Sequence, residues 1–454
     1  MAPDGVESAV KERRRGAPPR PKRGAPPRPV QVRIESIAAG GEGVGRLPDG
    51  RVTFVHRTAP GDLAEIALTE RRDRWTRGRL LRVLEPSPER REAPCPFYAR
   101  CGGCTLEHLE YGAQLRAKAR IVADALTRIG GVPVEPPEVV PSPSELRYRN
   151  RVSFALRRGE HGRVEAGFHA LGAPDEIVDL GGACLLPEEP VARVWDALRA
   201  AWGPDAGRLP SGERLRLTLR ASAQGEVSLL VEGGYSPGRP EELIAAVPGL
   251  VSIWHQRREA SAELIAGAPG LPETWGDETV ELSGAAFLQV NRGAAAPLEA
   301  HVAELAGDVA GLRIVDAYCG VGFHARRFAR AGAAVVGIEL DPQAVDEAAR
   351  AAPPGARFVQ GPVEELIGAE LPAELVVLNP PRAGVHAEVA EALVSTPAER
   401  IIYVSCNPAT LARDLKRMAG SYRLAGVRAF DLFPQTAHVE TVALLERHSM
   451  EDIG

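Results

Sequence analysis

A chain of 454 residues is too long for one hydrophobic core, so it divides into several domains. Its 44% hydrophobic and 25% charged residues suit a soluble protein. No apolar run reaches the ~20 residues that span a bilayer, and the charged N-terminus lacks an apolar signal core, so a cytoplasmic protein with no membrane partner is expected.

The net charge of −5 excludes a uniformly basic surface, but the charge is uneven. Nine basic residues and one acid lie between Lys11 and Arg33. Further clusters are Arg71, Arg72, Arg74, Arg77, Arg79 and Arg82, then Arg147, Arg149, Arg151, Arg157 and Arg158. Such clusters can neutralise phosphates even on an acidic protein, which points to nucleic acid; arginine-rich solvated surface is the plainer account of any one of them.

Residues 1–29 repeat Arg15-Gly-Ala-Pro-Pro-Arg-Pro21 as Arg23-Gly-Ala-Pro-Pro-Arg-Pro29 and have nothing to bury, so a disordered tail is expected. Residues 30–86 read as about five short strands separated by Gly40–Gly45 and Pro60-Gly61-Asp62 turns, which suits an OB-like barrel that binds single-stranded nucleic acid. Val44-Gly45-Arg46, Phe54-Val55 and Pro60-Gly61-Asp62 together resemble the small RNA-binding TRAM domain.

Residues 87–275 read as a mostly β central domain. Cys95, Cys101 and Cys104 are spaced C-x5-C-x2-C, and Cys184 lies far downstream. Four thiols without an oxidising compartment suit a tetrathiolate site. Paired knuckles would favour zinc; three clustered ligands and one distant one are nearer the iron–sulfur habit, and unligated thiols remain the third reading. Thr105–Arg128 has the apolar stripe of a helix, stopped by Gly130-Gly131. Helices are also expected over Pro190–Ala201 and Pro240–Ala246.

Residues 276–454 alternate strand and helix, the mark of an α/β domain with a parallel sheet. Asp316–Gly322 joins a strand to a helix, and Glu339 ends the next strand, 19 residues after Gly320, where an acid can bind the ribose hydroxyls of an adenosine. The third glycine of the dinucleotide fingerprint is absent. A loop without that pyrophosphate grip favours S-adenosylmethionine over NAD, and with Glu339 and with Asn379-Pro380-Pro381-Arg382 after a strand it favours a Rossmann-like methyltransferase fold, a tight structural turn in a different α/β enzyme being the plainer account of Gly320 and Gly322. Ile401–Val404 is a buried strand, and Asn407-Pro408 turns the chain out of it, which presents Cys406 at the carboxyl end of the sheet. A presented cysteine beside a methyl donor suggests methylation at carbon 5 of a pyrimidine. That reaction also needs a base for the C5 proton, and Glu440, at the edge of the apolar Val442–Leu445 strand, is the candidate. A small buried hydrophobe and a surface acid are the plain alternatives for these two residues.

Beyond residue 30 the chain resembles the RNA (uracil-5-)-methyltransferase family, closest to its iron–sulfur-containing 23S rRNA branch. The motifs are Cys95-x5-Cys101-Gly-Gly-Cys104, Phe287-Leu-Gln289-Val-Asn291, Asp316–Gly322, Asn379-Pro-Pro-Arg-Ala-Gly384, Val404-Ser-Cys406-Asn-Pro408 and Phe433-Pro-Gln-Thr-Ala-His438-Val-Glu440. The resemblance implies Cys406 as nucleophile and Glu440 as base. It implies Gln289, Tyr318, Glu339 and Asn379 around S-adenosylmethionine. It implies a [4Fe–4S] cluster on Cys95, Cys101, Cys104 and Cys184, and an RNA partner, 23S rRNA first and tRNA as the alternative; no obligate protein partner is expected. Two positions depart from the family: Asn379 stands where Asp is usual, and Phe323 where a small polar residue often follows Gly-x-Gly. Two rival readings are an exocyclic-amine methyltransferase, weakened because Arg382 rather than an aromatic follows Asn-Pro-Pro, and a non-catalytic iron–sulfur RNA-binding protein, which leaves Cys406 and Glu440 unexplained.

Overall fold

The computed structural model describes residues 29–449 except 259, 276, 277, 285 and 287. The expected tail lies outside them but for its last residue, as does Phe287.

Five strands, β1 (Val30–Ile37), β2 (Gly43–Arg46), β3 (Val52–Val55), β4 (Leu63–Arg71) and β5 (Trp75–Glu85), close into a barrel in the order β1-β2-β3-β5-β4. Alternation drives it: Val32, Ile34, Val55, Ala64 and Ile66 point inward and are buried, while their sequence neighbours face out. Gly45 is required at the closure, because a Cβ there would lie 2.4 Å from the Arg33 carbonyl oxygen.

Helix α1 (Tyr111–Ala125) starts six residues later than the stripe suggests. The reason is tertiary: Leu109 pairs with Arg90 in an antiparallel bridge, with the Arg91 N–H donating to the His108 carbonyl and the Glu110 N–H to the Glu89 carbonyl, both at 2.9 Å, which holds the backbone extended until Glu110. The helix continues through one wide turn to Gly130, and Gly131 closes it with φ +74°. The short strand β6 (Val139–Val140) follows.

A seven-stranded sheet, ordered β13-β12-β11-β10-β7-β8-β9, forms the central region. It contains β7 (Arg151–Arg158), β8 (Val164–Ala170), β9 (Ala173–Asp179), β10 (Arg214–Ala221), β11 (Val227–Glu232), β12 (Leu250–Gln256) and β13 (Glu263–Gly267). Helices α2 (Glu189–Ala201) and α3 (Pro240–Ala246) pack on it through Trp195, Leu198 and Leu243. A hairpin of β14 (Leu271–Trp275) and β15 (Glu278–Leu282) leads to the last region.

That region is an eight-stranded sheet in the order β18-β17-β16-β19-β20-β22-β21-β6. Its strands are β16 (Arg313–Ala317), β17 (Ala334–Glu339), β18 (Ala356–Gln360), β19 (Leu375–Leu378), β20 (Arg400–Ser405), β21 (Tyr422–Phe430) and β22 (Glu440–Arg447), with β6 at the edge. The helices are α4 (Arg292–Ala306), α5 (Phe323–Arg330), α6 (Pro342–Arg350), α7 (Val363–Glu370), α8 (Ala387–Ser395) and α9 (Pro408–Met418). β16 to β20 are parallel, and β22 is antiparallel to β20 and β21. This is the doubly wound fold of class I methyltransferases. The sequence places the start of α4 at Pro297. It starts at Arg292, because Asn291 caps it by accepting from the Ala294 N–H (3.1 Å), and Pro297 costs only the bond to the Gly293 carbonyl.

The stretch Tyr111–Val140 falls inside the span expected for the central domain, but it packs elsewhere. Val122 and Leu126 belong to the catalytic core with Leu411, Ala412 and Leu415 of α9, and β6 extends the catalytic sheet. Lys118 and Asp431 form a fully buried ion pair at 2.5 Å across the same junction. Among the described residues no helix is long and apolar enough to cross a membrane.

Candidate active site

Parallel register aligns Ala317, Ile338, Leu378 and Tyr403 in one row across β16, β17, β19 and β20. The residues just beyond that row therefore leave the sheet at one carboxyl edge: Tyr318, Glu339 and Asn379, with Cys406 three residues after Tyr403. β16 has β17 on one side and β19 on the other, so the strand order reverses there, and ligands bind at such points.

The loop after β16 is built for close approach. Tyr318 has φ +62°, Gly320 +54° and Gly322 +74°. A Cβ on Gly320 would meet nothing within 4 Å, so this glycine borders open space, whereas one on Gly322 would strike the Phe358 ring at 2.4 Å. Glu339 fixes the loop: one carboxylate oxygen accepts from the Gly320 N–H (2.9 Å), and the other from Leu340 (2.7 Å) and Asp341 (2.9 Å). A carboxylate has about four acceptor sites, so capacity remains for a ligand hydroxyl. The half-buried Tyr318 ring leans on the catalytic core. Asn379 is half-buried, and its N–H donates to Ala317 (3.3 Å). Gln289 lines an open cleft with Phe323, Arg292 and Arg327 whose lining includes none of Tyr318, Glu339, Asn379 or Cys406; its carbonyl accepts from Asn150 Nδ2 (2.9 Å). Cys319 points into packing, beside Gly337 and the Phe358 ring.

Cys406 and Glu440 are brought together by register. Val404 pairs with Val442 and Ser405 with Thr441, so the next step sets Cys406 opposite Glu440. Beyond β20 the turn is tightly made. Ser405 Oγ accepts from the Asn407 N–H and donates to its carbonyl, both at 3.1 Å, and Asn407 caps α9 by accepting from Ala409 (3.1 Å). Asn407 Nδ2 and the Thr410 hydroxyl donate to the Arg382 carbonyl at 3.2 and 3.4 Å, which docks the Asn379–Gly384 loop against the cysteine turn.

The Arg382 guanidinium is the cation of this site. Burial pushes the Cys406 thiol up and Glu440 adds to the rise, while Arg382 opposes both by charge and as a hydrogen-bond partner. Burial pushes Glu440 up to about 7, again with Arg382 opposing. Glu440 is only 4% exposed. A half-buried thiol, a carboxyl near neutrality and a guanidinium can together add a sulfur to an electrophilic carbon and take up a proton. The sequence reading passed over Arg382 as a site residue; its signal was its place in the loop after β19. His438 was also passed over. Burial, with Arg382, Arg149 and Lys118, pushes it down to about 4, so it is neutral at pH 7. Its ring meets Phe433 edge-on at 5.9 Å, and Arg149 lies over the Phe433 ring at 5.8 Å.

Cys95, Cys101, Cys104 and Cys184 line one cavity with Tyr98, Gly103 and Glu107, although 80 residues separate Cys104 from Cys184. The Gly103 N–H donates to Cys101 Sγ (3.3 Å). Among the described residues no three His, Cys, Asp or Glu groups are drawn into the geometry of a bound metal ion.

Comparison with known proteins accords with this architecture. A family profile described as tRNA (Uracil-5-)-methyltransferase matches residues 365–448, a methyltransferase domain profile residues 314–396, and a TRAM domain profile residues 28–81. An uncharacterized RNA methyltransferase of Gloeobacter violaceus is 36% identical, over 95% of this chain and 99% of its own length. The 23S rRNA (uracil(1939)-C(5))-methyltransferase RlmD of Pseudomonas entomophila is 35% identical over 91% of this chain and 92% of its own. The crystal structure of Pyrococcus abyssi tRNA (uracil-54, C5)-methyltransferase in complex with S-adenosyl-L-homocysteine aligns with a TM-score of 0.70, at 25% identity, over 92% of this chain and 99% of that one. With the TRAM barrel, the class I fold and relatives matched along nearly their whole length, the chain belongs to the S-adenosylmethionine-dependent RNA uracil-5-methyltransferases.

Proposed function

We propose that the chain methylates carbon 5 of a uridine in 23S rRNA through a covalent bond between Cys406 and carbon 6 of the base. The observation that carries this reading is the β20–β22 register, which sets Glu440 opposite Cys406 with Arg382 against both.

Carbon 5 of uracil is a poor nucleophile. The Cys406 thiolate adds to C6, and the C5–C6 π electrons move toward the C4 carbonyl as an enolate. S-adenosylmethionine supplies the methyl as a sulfonium electrophile, which C5 attacks. Glu440 then takes the C5 proton, the C5–C6 double bond re-forms, and the sulfur leaves as thiolate. Arg382 favours the thiolate at the first step and the carboxylate at the last. The uridine must leave its stack to reach this edge of the sheet. Gln289, Tyr318, Glu339 and Asn379 hold the methyl donor, with Glu339 on the ribose hydroxyls. The barrel, residues 30–86, captures RNA; on it Arg77 stacks over Trp75 at 5.3 Å.

Cys95, Cys101, Cys104 and Cys184 fit a [4Fe–4S] cluster: four soft donors on one cavity, with a backbone N–H aimed at one sulfur. When bound, the cluster would tie the central sheet to the barrel-side loop. Iron and sulfide assay of anaerobically purified protein checks it; stoichiometric zinc would replace it.

Mass mapping of bulk RNA from a strain lacking the protein, before and after incubation with the purified enzyme and S-adenosylmethionine, tests the whole reading. A new 5-methyluridine at one 23S rRNA position is the expected result. The same mark in tRNA would keep the chemistry and change the substrate, a reading favoured by the Pyrococcus structure. A methyl on an exocyclic nitrogen would overturn the role of Cys406.

A further inference from the structure

The segment Phe433–Val439 ends at Glu440 and lies where the thiol-bearing loop, α1 and the catalytic sheet meet. Its centre is Gln435, which is fully buried and has φ +70°, a left-handed conformation unusual for a side chain longer than Asn. Such a conformation persists only where the surroundings hold it. Here they hold every polar group of the residue except water-facing ones, of which there are none. The Gln435 N–H donates to Gln114 Oε1 (2.9 Å). Its carbonyl accepts from Thr105 and Leu106, both at 2.9 Å. Its side-chain oxygen accepts from Arg91 (2.9 Å) and Gln114 Nε2 (3.0 Å), and its amide donates to the Glu145 carbonyl (3.2 Å). Two residues on, the Ala437 N–H donates to Thr105 Oγ1 (3.2 Å). Thr105 directly follows Cys104.

We infer that Gln435 is a positioning residue for the proton-abstraction step: with Thr105 it latches the loop that delivers Glu440 to the segment carrying Cys95, Cys101 and Cys104. It rests on the reading of Glu440 as the base. The hydrogen bonds of Gln435 run to Arg91, Gln114, Glu145, Thr105 and Leu106 rather than to Cys406 or Glu440, so its loss is expected to leave sulfur addition and methyl transfer in place and to slow the step that needs Glu440 at a fixed point. Displacing a reacting group by about 1 Å costs roughly 100-fold, which sets the expected scale.

The test uses the full-length enzyme, target RNA and S-adenosylmethionine, and reads kcat, KM, melting temperature and the denaturant-resistant protein–RNA adduct. Glu440→Gln is the reference. If it accumulates no adduct, Glu440 is not the base, and the inference falls with that reading. If it does, Gln435→Ala is expected to lower kcat by roughly 10- to 100-fold with KM changed less than about 2-fold, and to accumulate methylated adduct. Gln435→Glu keeps both accepted side-chain bonds but sets a buried carboxylate against the Glu145 carbonyl and carboxylate, so it is expected to fall short of wild-type kcat and to accumulate the same adduct. Should Gln435→Ala not melt cooperatively, Thr105→Val decides: it keeps shape, removes the acceptor for Ala437, and is expected to show the same adduct at a smaller kcat loss. Wild-type adduct levels in the folded variants, or a raised KM with unchanged kcat, would overturn the inference.

Discussion

Cys406 and Cys184 are the same side chain placed in opposite surroundings. Cys406 stands half-buried at a sheet edge, with a guanidinium on one side and a carboxyl on the other. Cys184 faces three further thiols across a cavity, and burial pushes it up to about 11. A half-buried, cation-flanked thiol is suited to attack, and thiols clustered on one cavity to joint ligation. What separates the two uses is the company the backbone provides: a strand register at Cys406, and a long-range chain crossing at Cys184.

The largest effect expected from breaking this contrast is at the nucleophile. Cys406→Ala should abolish methylation, by about 10⁴-fold or more, while RNA binding by gel shift is unchanged. Glu440→Gln should follow, with turnover down roughly 10²- to 10⁴-fold and RNA trapped covalently on the protein under denaturing electrophoresis. Wild-type turnover should rise with pH through about 7, because the working forms of Glu440 and Cys406 are both deprotonated. The same carboxyl binds its proton more tightly folded than unfolded, so its ionisation destabilises the fold as pH rises from about 4.5 to about 7; the gain in melting temperature of Glu440→Gln over wild type should grow across that window. Arg382→Ala should cost roughly 10- to 100-fold in adduct formation and move the turnover profile to higher pH, since the cation that favours the thiolate is gone; Arg382→Lys should restore part of it. The smallest effect on chemistry should come from the other site. If the proposed cluster is held there, Cys184→Ser should lower the iron content and the melting temperature, with adduct formation per folded molecule within about 3-fold of wild type, a change of less than ~1 kcal/mol. A Cys184→Ser enzyme that folds but forms no adduct would mean the two environments are not separable.

Much of this is legible in the sequence. The strand–Cys406–Asn407-Pro408 turn and the Glu339 strand end are local patterns, written in β-branched runs and proline, and they stand where expected. Helix α2 was legible for the same reason, one residue from its expected start. Long-range facts were not. No local pattern says that Leu109 bridges Arg90, which keeps the chain extended until α1 begins at Tyr111, or that Thr105 and Leu106 give their N–H groups to Gln435, more than 300 residues on. Nor does a stripe of Val122 and Leu126 reveal which core it enters. Arg382 was visible as a residue but not as a partner, because its effect depends on a loop docking onto the Cys406 turn.

The two-residue strand β6 carries a consequence for dissecting the protein. It is short, yet it covers the outer edge of β21, and the Lys118–Asp431 pair is closed by the helix just before it. A fragment beginning at residue 276 would leave Asp431 as a lone charge in an apolar junction and β21 as a bare strand edge, open to pairing with another copy. The methyltransferase half is therefore not a portable module. Any truncation or domain-exchange scheme has to carry residues 111–140 along with it, and the chain order of barrel, central sheet and catalytic sheet is no guide to where it can be cut.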